Sequence, residues 1–455
     1  MCKNAFMPCL LVSTYDMGRQ PFGLASPAAW LREAGVEVVC RDLSRERLDE
    51  QEVRAADLVG FFLPMHTATR LALPVIDRVR ALNPGATLCA YGLYAPLNAA
   101  LLRERGVGEI FGGEFEAELR GLALARVSHG HGPPEQGAPA AAIPRLSFRT
   151  PDRTGLPPLT RYASLQVGSE RRVTGYTEAS RGCKHRCRHC PIVPVYNGHF
   201  RVVPVEVVMA DVRAQVDAGA RHITFGDPDF FNGIGHARAV LDAFGRGFPA
   251  ISFDVTIKIE HLLRHADTLP LLRDSGCAFV TSAVEAIDDE ILAKLEKGHT
   301  RADFERAVKL FDDTGLILEP TFVAFTPWTT VAGYREMLRA IAQLGLAEHV
   351  APIQLALRLL ITEGSRLLEL DDVRAVIGRL HPGSLTYPWT HRDAAVDTLQ
   401  KRAAELVGVH LSAPRSETFA EIWSLAHDIS DEPAPDLPIP RPRTSVPYLN
   451  EPWYC

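Results

Sequence analysis

Three cysteines fall within one short stretch, Ser180-Arg-Gly-Cys183-Lys-His-Arg-Cys187-Arg-His-Cys190-Pro, with the spacing C-x3-C-x2-C. Thiolates are the soft ligands that hold iron–sulfur clusters. Three of them can bind three irons of a [4Fe–4S] cube and leave the fourth iron open to a small molecule. Lys184, Arg186 and Arg188 are expected to lower the thiol pKa values and to offset the negative charge of a cluster. The alternative is zinc, with His185 or His189 as fourth ligand. Zinc sites usually recruit two ligand pairs, often with a distant C-x2-C, and no second pair exists in this sequence. The other six cysteines are scattered: Cys2, Cys9, Cys40, Cys89, Cys277 and Cys455. A long, core-rich cytosolic chain does not need disulfides, so the cluster asks for a metal or catalytic explanation.

The elements that must position this motif come in two sets. Short apolar runs at 9–14, 36–41, 57–63, 87–91 and 109–111 read as strands. Helical patterns at 26–34, 67–82, 96–104 and 114–125 lie between them. This alternation predicts a parallel sheet covered on both faces, with ligands at the carboxyl ends of its strands. The loops there are 15–23, 64–67, 92–96 and 112–116. Residues 127–170 are rich in Pro, Gly and Ala and read as a linker. Strands then recur at 174–180, 222–226, 251–257, 279–284, 317–325 and 353–360. Helices are predicted at 204–218, 235–244, 266–275, 288–295, 301–314 and 331–344. Six βα units suit a partial barrel, and the cysteines follow its first strand, where barrel active sites lie. Two amphipathic helices follow at 391–409 and 415–429, and a Pro-rich tail closes the chain.

Composition sets outer bounds. The 455 residues are 46% hydrophobic and 23% charged, which excludes wholesale disorder. A formal net charge of -6 argues against a broad electrostatic grip on nucleic acid or anionic membrane. No run approaches the roughly 20 apolar residues of a membrane-spanning helix. CLLVSTY near the start reads as a buried strand rather than part of a leader, so the expected location is cytoplasmic.

The motif and the six βα units together resemble the radical S-adenosylmethionine (SAM) superfamily. The resemblance implies a [4Fe–4S] cluster on Cys183, Cys187 and Cys190. Its open iron would be chelated by the amino and carboxylate groups of SAM, which is then cleaved to a 5′-deoxyadenosyl radical. His189 stands where the family usually has an aromatic residue, beside the adenine. In Phe225-Gly226-Asp227-Pro228-Asp229, the resemblance makes Gly226, Asp227 and Asp229 candidates to hold the SAM amino group. In Ile257-Lys258-Ile259-Glu260, Lys258 would face the ribose. Glu285 and the turn Lys297-Gly298-His299-Thr300 recur in the family, although that turn also reads as a helix C-cap. Residues 320–326 would line the adenine and Arg358 would reach the cavity.

The first domain resembles the cobalamin-binding modules of one branch of that superfamily. The matching features are Gly112-Gly113-Glu114-Phe115-Glu116, the turn Gly92-Leu-Tyr-Ala-Pro96 and the join Gly155–Tyr162. They imply corrin contacts at Gly92, Gly112, Gly113 and Glu114. Modules that ligate cobalt carry D-x-H-x-x-G, whereas loop 15–23 has no histidine; His66 is the one alternative. A module that only packs on the barrel is the other reading. Stretches 20–30, 64–74, 91–98, 189–200 and 222–232 further resemble proteins with a Cys-Sec-Ala-Glu-Pro or Cys-Cys-Ala-Glu-Pro tail. That resemblance implies a selenocysteine beyond Cys455, against a genuine terminal cysteine.

The expected fold is α/β. It comprises a doubly wound, cobalamin-binding-like sheet (1–126), the linker (127–170), a partial (β/α)6 radical SAM barrel (171–370), a small helical C-terminal extension (371–430) and the tail (431–455). The expected function is cobalamin-assisted methyl transfer to an unactivated carbon or phosphorus. A radical rearrangement or ring contraction without methylation is the near alternative, and a non-catalytic redox or sensor protein the distant one. The expected partners are a small-molecule or peptide substrate and an external electron donor such as flavodoxin or ferredoxin, with no nucleic acid and no membrane.

Overall fold

A sheet buried on both faces needs strands that are apolar on both faces, and the N-terminal strands have that character. β1 (Cys9–Ser13), β2 (Val38–Asp42), β3 (Leu58–Phe62), β4 (Thr87–Tyr91) and β5 (Glu109–Phe111) pair in parallel, in the order β2-β1-β3-β4-β5. The computed structural model describes residues 9–129, 146–410, 413–429, 434–436 and 446–450. Leu10, Val12, Val59 and Phe61 face one core with Ile76 and Leu102. Cys9 and Leu11 face the opposite core with Leu24, Leu31 and Leu119. The strand order reverses between β1 and β3, so the loops leaving them diverge and open a crevice at their carboxyl ends.

The helices run Phe22–Glu33, His66–Leu82 and Glu116–His129, close to expectation. The helix expected at 96–104 is two short ones, Tyr94–Leu97 and Ala99–Glu104. A further helix, Glu50–Ala55, was not legible as a periodic pattern; it is only six residues long and is capped by the Asp49 side chain.

The expected linker contains regular structure. β6 (Ser164–Val167) and β7 (Glu170–Thr177) form an antiparallel hairpin closed by Gly168 and Ser169, with Gly168 at φ +57°. Before it, Arg153 binds Asp211, Gln20 and the Tyr176 carbonyl, which ties the segment to both domains. β8 (Ser180–Gly182) and β9 (Phe200–Val202) pair antiparallel around the cysteine loop. β10 (His222–Phe225), β11 (Ser252–Thr256), β12 (Cys277–Glu285) and β13 (Leu318–Phe322) continue in parallel from β7. With β14 (Tyr448–Leu449), the sheet order is β13-β12-β11-β10-β7-β6-β14. Its outer face packs Ile223, Phe253, Val280 and Phe322 against Phe244, Phe304 and Phe311.

The sixth strand expected at 353–360 is absent as a strand. Pro352–Leu355 is a 3-10 turn, and a single parallel bridge joins Phe325 to Arg358. Pro352 opens that turn; it lacks an N–H to donate to a ladder and fixes a φ suited to a turn. The result is a curled half-barrel of five parallel strands. Helices Ala394–Val409 and Arg415–Asp428 pack on its wall through Val396, Leu399, Phe419 and Ile422. Segment 371–393 reaches the first domain, where Leu385 joins its core. Cys455 lies outside the described residues.

Candidate active site

β8 and β9 bring the cysteine loop to the mouth of the half-barrel. Cys183 and Cys187 are buried, Cys190 is half-buried, and all three are free thiols. Asn232 Oδ1 lies 3.7 Å from Cys183 Sγ and accepts the Lys184 N–H at 3.3 Å. Lys258 Nζ lies 3.8 Å from Cys187 Sγ. At Cys183 and Cys190 burial outweighs the expected lowering of the thiol pKa. Burial pushes Cys183 up and Cys190 up to about 12. Arg188 turns away to Glu296 at 2.7 Å and to the Lys294 carbonyl. A bound metal would have to displace these protons itself.

The donor set fits a cluster better than one ion. Among the described residues, His185, Asp229 and His261 form a group with all donor atoms within 4.8 Å of one another, and the three cysteines do not. Thiolates around one zinc, at Zn–S of about 2.3 Å, would have sulfurs about 3.8 Å apart.

The expected SAM contacts surround the loop. Gly226 is a position that only glycine can fill, because an added Cβ would stand 1.8 Å from the Tyr176 hydroxyl. Asp227 is buried and accepts from Ala179 N at 2.9 Å and Ser180 Oγ at 2.5 Å. Burial raises its carboxyl to about 7. Asp229 turns instead to His185 and His261. Burial opposes its charge, yet the two imidazoles outweigh that and hold it well below the usual carboxylate range.

Glu285 ends β12 at φ +71° after a bulge at Ala283, which re-aims its side chain. It meets His189 Nε2 at 3.1 Å and Lys297 Nζ at 3.3 Å. Burial again opposes the charge, but Lys297 and then His189 hold it at about 2. Lys297 is thus an internal partner of Glu285, buried to 3% exposure, rather than a solvated cation at a helix end. His299, also buried, is lowered to about 4 by desolvation and then by Lys297.

One cavity of about 950 Å³ links the two domains, at the upper end of ordinary ligand pockets. Its roof comes from all four carboxyl-end loops of the first sheet, including Met17, His66, Gly92 and Gly113. Its floor is the inner face of the half-barrel, through Thr224, Asp254, Thr281 and Glu319. Pro320 and Thr321 line it; Arg358 does not. Arg358 instead pairs with Asp397 at 2.7 Å and stacks on Trp389 at 3.5 Å, which corrects its expected role.

Two of the roof loops border the space through glycines, Gly92 and Gly113. Gly92 has φ +106°, and a Cβ there would meet the Leu63 carbonyl at 2.9 Å, so the chain can turn this sharply only without a side chain. Gly112 packs on Pro96 rather than lining the space. Glu114 does not line it either: it accepts from Tyr196 OH at 3.1 Å and pairs with Arg181 at 3.4 Å. His66 Nε2 donates to the Ser384 carbonyl at 2.5 Å, and its Nδ1 is buried without a hydrogen-bond partner.

Several residues were missed from the sequence. Arg181 is buried between Glu114, Glu116 at 2.7 Å and Glu178 at 2.7 Å. In sequence it is a spacer two residues before Cys183. Asp254 accepts from His222 at 2.8 Å and Thr224 at 2.6 Å inside the barrel. Burial raises Glu319, opposite, to about 8. The polar alternation His222/Thr224 and Ser252/Asp254 in otherwise apolar strands was the available signal.

Comparison with known proteins agrees with this geometry. Residues 177–327 match the radical SAM superfamily model. The chain is 27% identical over 201 residues to the ribosomal protein uS12 methylthiotransferase RimO of Desulfosudis oleivorans, over 38% of this chain and 42% of that one. It is 24% identical to the hopanoid C-3 methylase of Methylococcus capsulatus, over 68% of this chain and 62% of that one. The matches thus span only part of these relatives, about two-fifths in the first case. Among solved structures, the cobalamin-dependent SAM radical enzyme OxsB superposes with a TM-score of 0.71 at 14% identity, over 90% of this chain and 67% of OxsB. The radical SAM methyltransferase TsrM of Kitasatospora setae gives 0.58 at 22%, over 74% of this chain and 70% of TsrM. These two likenesses establish the fold. No helix among the described residues is long and apolar enough to cross a membrane. The stretch that matches the radical SAM superfamily, residues 177–327, is thus the half-barrel that carries the cysteine loop, and a five-stranded parallel sheet precedes it.

Proposed function

We propose that this protein is a cobalamin-using radical SAM enzyme that transfers a methyl group to an unactivated carbon or phosphorus of a small-molecule or peptide substrate. The observation that carries this reading is the single cavity joining the loops of the first sheet to the inner face of the half-barrel beside the cysteine loop. A broad ligand under the roof and a substrate on the floor would share one space there.

When bound, the cluster would supply the electron for SAM cleavage and the corrin the methyl group. The chain's own residues do the rest. Cys183, Cys187 and Cys190 would hold three irons, and Lys258 sits close enough to Cys187 to offset thiolate charge. Asp227, which lines the cavity, and Glu285, beside the cysteine loop, would receive the SAM ammonium. An ammonium beside Asp227 would draw its raised pKa down and fix it as the anion. Gly92 and Gly113 border the space that the corrin would occupy. An external flavodoxin or ferredoxin would deliver the electron.

Anaerobic reconstitution, followed by iron, sulfide and corrin quantitation and a SAM-cleavage assay, tests the reading. It expects about four irons and four sulfides per chain, bound corrin and 5′-deoxyadenosine. Methylated product with S-adenosylhomocysteine identifies methyl transfer; 5′-deoxyadenosine alone points to rearrangement. A single tetrahedral zinc on the cysteines, or no retained corrin, overturns the proposal.

A further inference from the structure

We propose that His185, Asp229 and His261 form a site for one divalent transition-metal ion, zinc or ferrous iron, separate from the three-cysteine site. His185 lies in the loop between Cys183 and Cys187, Asp229 follows β10, and His261 is on helix Ile259–Arg264 after β11. Their donor atoms all lie within 4.8 Å of one another. His261 Nδ1 is 2.6 Å and His185 Nε2 3.5 Å from the same oxygen, Asp229 Oδ2.

The bland reading is a buried ion pair, in which an imidazole N–H is shared with the carboxylate. The geometry speaks against it. Asp229 Oδ2, His261 Nδ1 and His185 Nε2 are all buried and all lack a hydrogen-bond partner despite their closeness. A shared proton would lie on the line between nitrogen and oxygen. Here the atoms crowd one point without a well-aligned bond, and a cation at that point would keep Asp229 ionised in place of the imidazole protons. Asp229 and His261 are both fully buried, so unmet polar atoms there are costly.

The surroundings complete such a site. Asp229 Oδ1 is held by the Phe231 N–H at 3.3 Å. Glu260 Oε2 lies 3.7 Å from His185 Nδ1, where a carboxylate can orient a metal-bound imidazole. Two imidazoles and one carboxylate suit zinc or ferrous iron and leave a coordination position open. His185 is the least buried of the three and offers the way in for the ion. A bound ion would cross-tie the cysteine loop to the ends of two barrel strands.

The test separates this site from the thiols and does not depend on the enzymatic reading. The full chain with Cys183→Ala, Cys187→Ala and Cys190→Ala is titrated with Co2+ as an optical probe, then competed with Zn2+. One Co2+ per chain with d–d absorption is expected, and Asp229→Asn or His261→Gln in that background should weaken binding at least tenfold. Absence of stoichiometric binding in a triple variant that melts like the parent overturns the proposal, as does unchanged affinity in both added variants. Should the triple variant not fold, metal-free wild type is compared with His185→Gln. Wild type should bind one ion more; equal stoichiometry overturns the site.

Discussion

The domain boundary and the rim of the cysteine loop both bury carboxylates, yet they treat them in opposite ways. At the boundary, Glu114, Glu116 and Glu178 crowd one guanidinium, that of Arg181. Burial pushes Glu114 and Glu178 up, and one cation does not bring them back. At the rim, Glu285 alone meets both Lys297 and His189 and stays ionised down to about 2. The ratio of cations to carboxylates, rather than burial, decides which region keeps its charge. A carboxylate kept ionised at the rim can exchange one of its cations for an ammonium ligand; at the boundary one guanidinium shared among three carboxylates ties the two domains together.

The largest effect expected is at the rim. Cys187→Ala should reduce bound iron and abolish 5′-deoxyadenosine formation, measured on reconstituted protein. Unchanged SAM cleavage would remove the rim from the chemistry altogether.

At the boundary, Arg181→Met should cost about 3–5 kcal/mol of stability, because it leaves buried carboxylates without their cation. Urea denaturation checks this. A loss below about 1 kcal/mol would mean that the carboxylates are simply protonated and that Arg181 is dispensable.

Glu285→Gln sharpens the contrast, since it removes charge where charge is kept. We expect SAM affinity to weaken by about tenfold to a hundredfold, the range for a charged hydrogen bond. Equilibrium dialysis reads the change, and an affinity within twofold of wild type would contradict the role proposed for this carboxylate.

The smallest effect is in the pH profile. Asp16, beside Arg19 and Glu178, is raised by burial from 3.8 to about 7. The folded state therefore holds a proton that the unfolded state has released, and stability falls as pH rises between about 4 and 7. The slope is at most about 1.4 kcal/mol per pH unit for one group. Glu285 has the reverse sign: its contribution is complete above the unfolded value of 4.5 and is lost as pH falls toward about 2. Asp16→Asn should flatten the slope between pH 5 and 7 in denaturation curves; an unaltered slope would assign it to other groups.

Much of the first domain was legible because its strands are local apolar runs. The 87–91 and 109–111 strands lie where the periodicity puts them. The cysteine motif was legible because its chemistry is written in three nearby positions. The sixth barrel strand was misread because the apolar run 353–360 carries no local sign that Pro352 turns the chain instead. β14 escaped notice for another reason: it exists only through pairing with Gln166 and Leu165, far back in the chain.

By itself, the sequence determined the five strands of the first sheet, most of the long helices and the spacing of three thiols in one short loop, since those depend on neighbours a few residues apart. Tertiary structure alone decided that Glu114 serves Arg181 rather than the cavity, that Asp229 faces two histidines, and that His66 meets Ser384. Those partners lie tens to hundreds of residues away. A buried polar group takes whichever partner the packed fold brings within hydrogen-bond reach, and no local pattern encodes that choice.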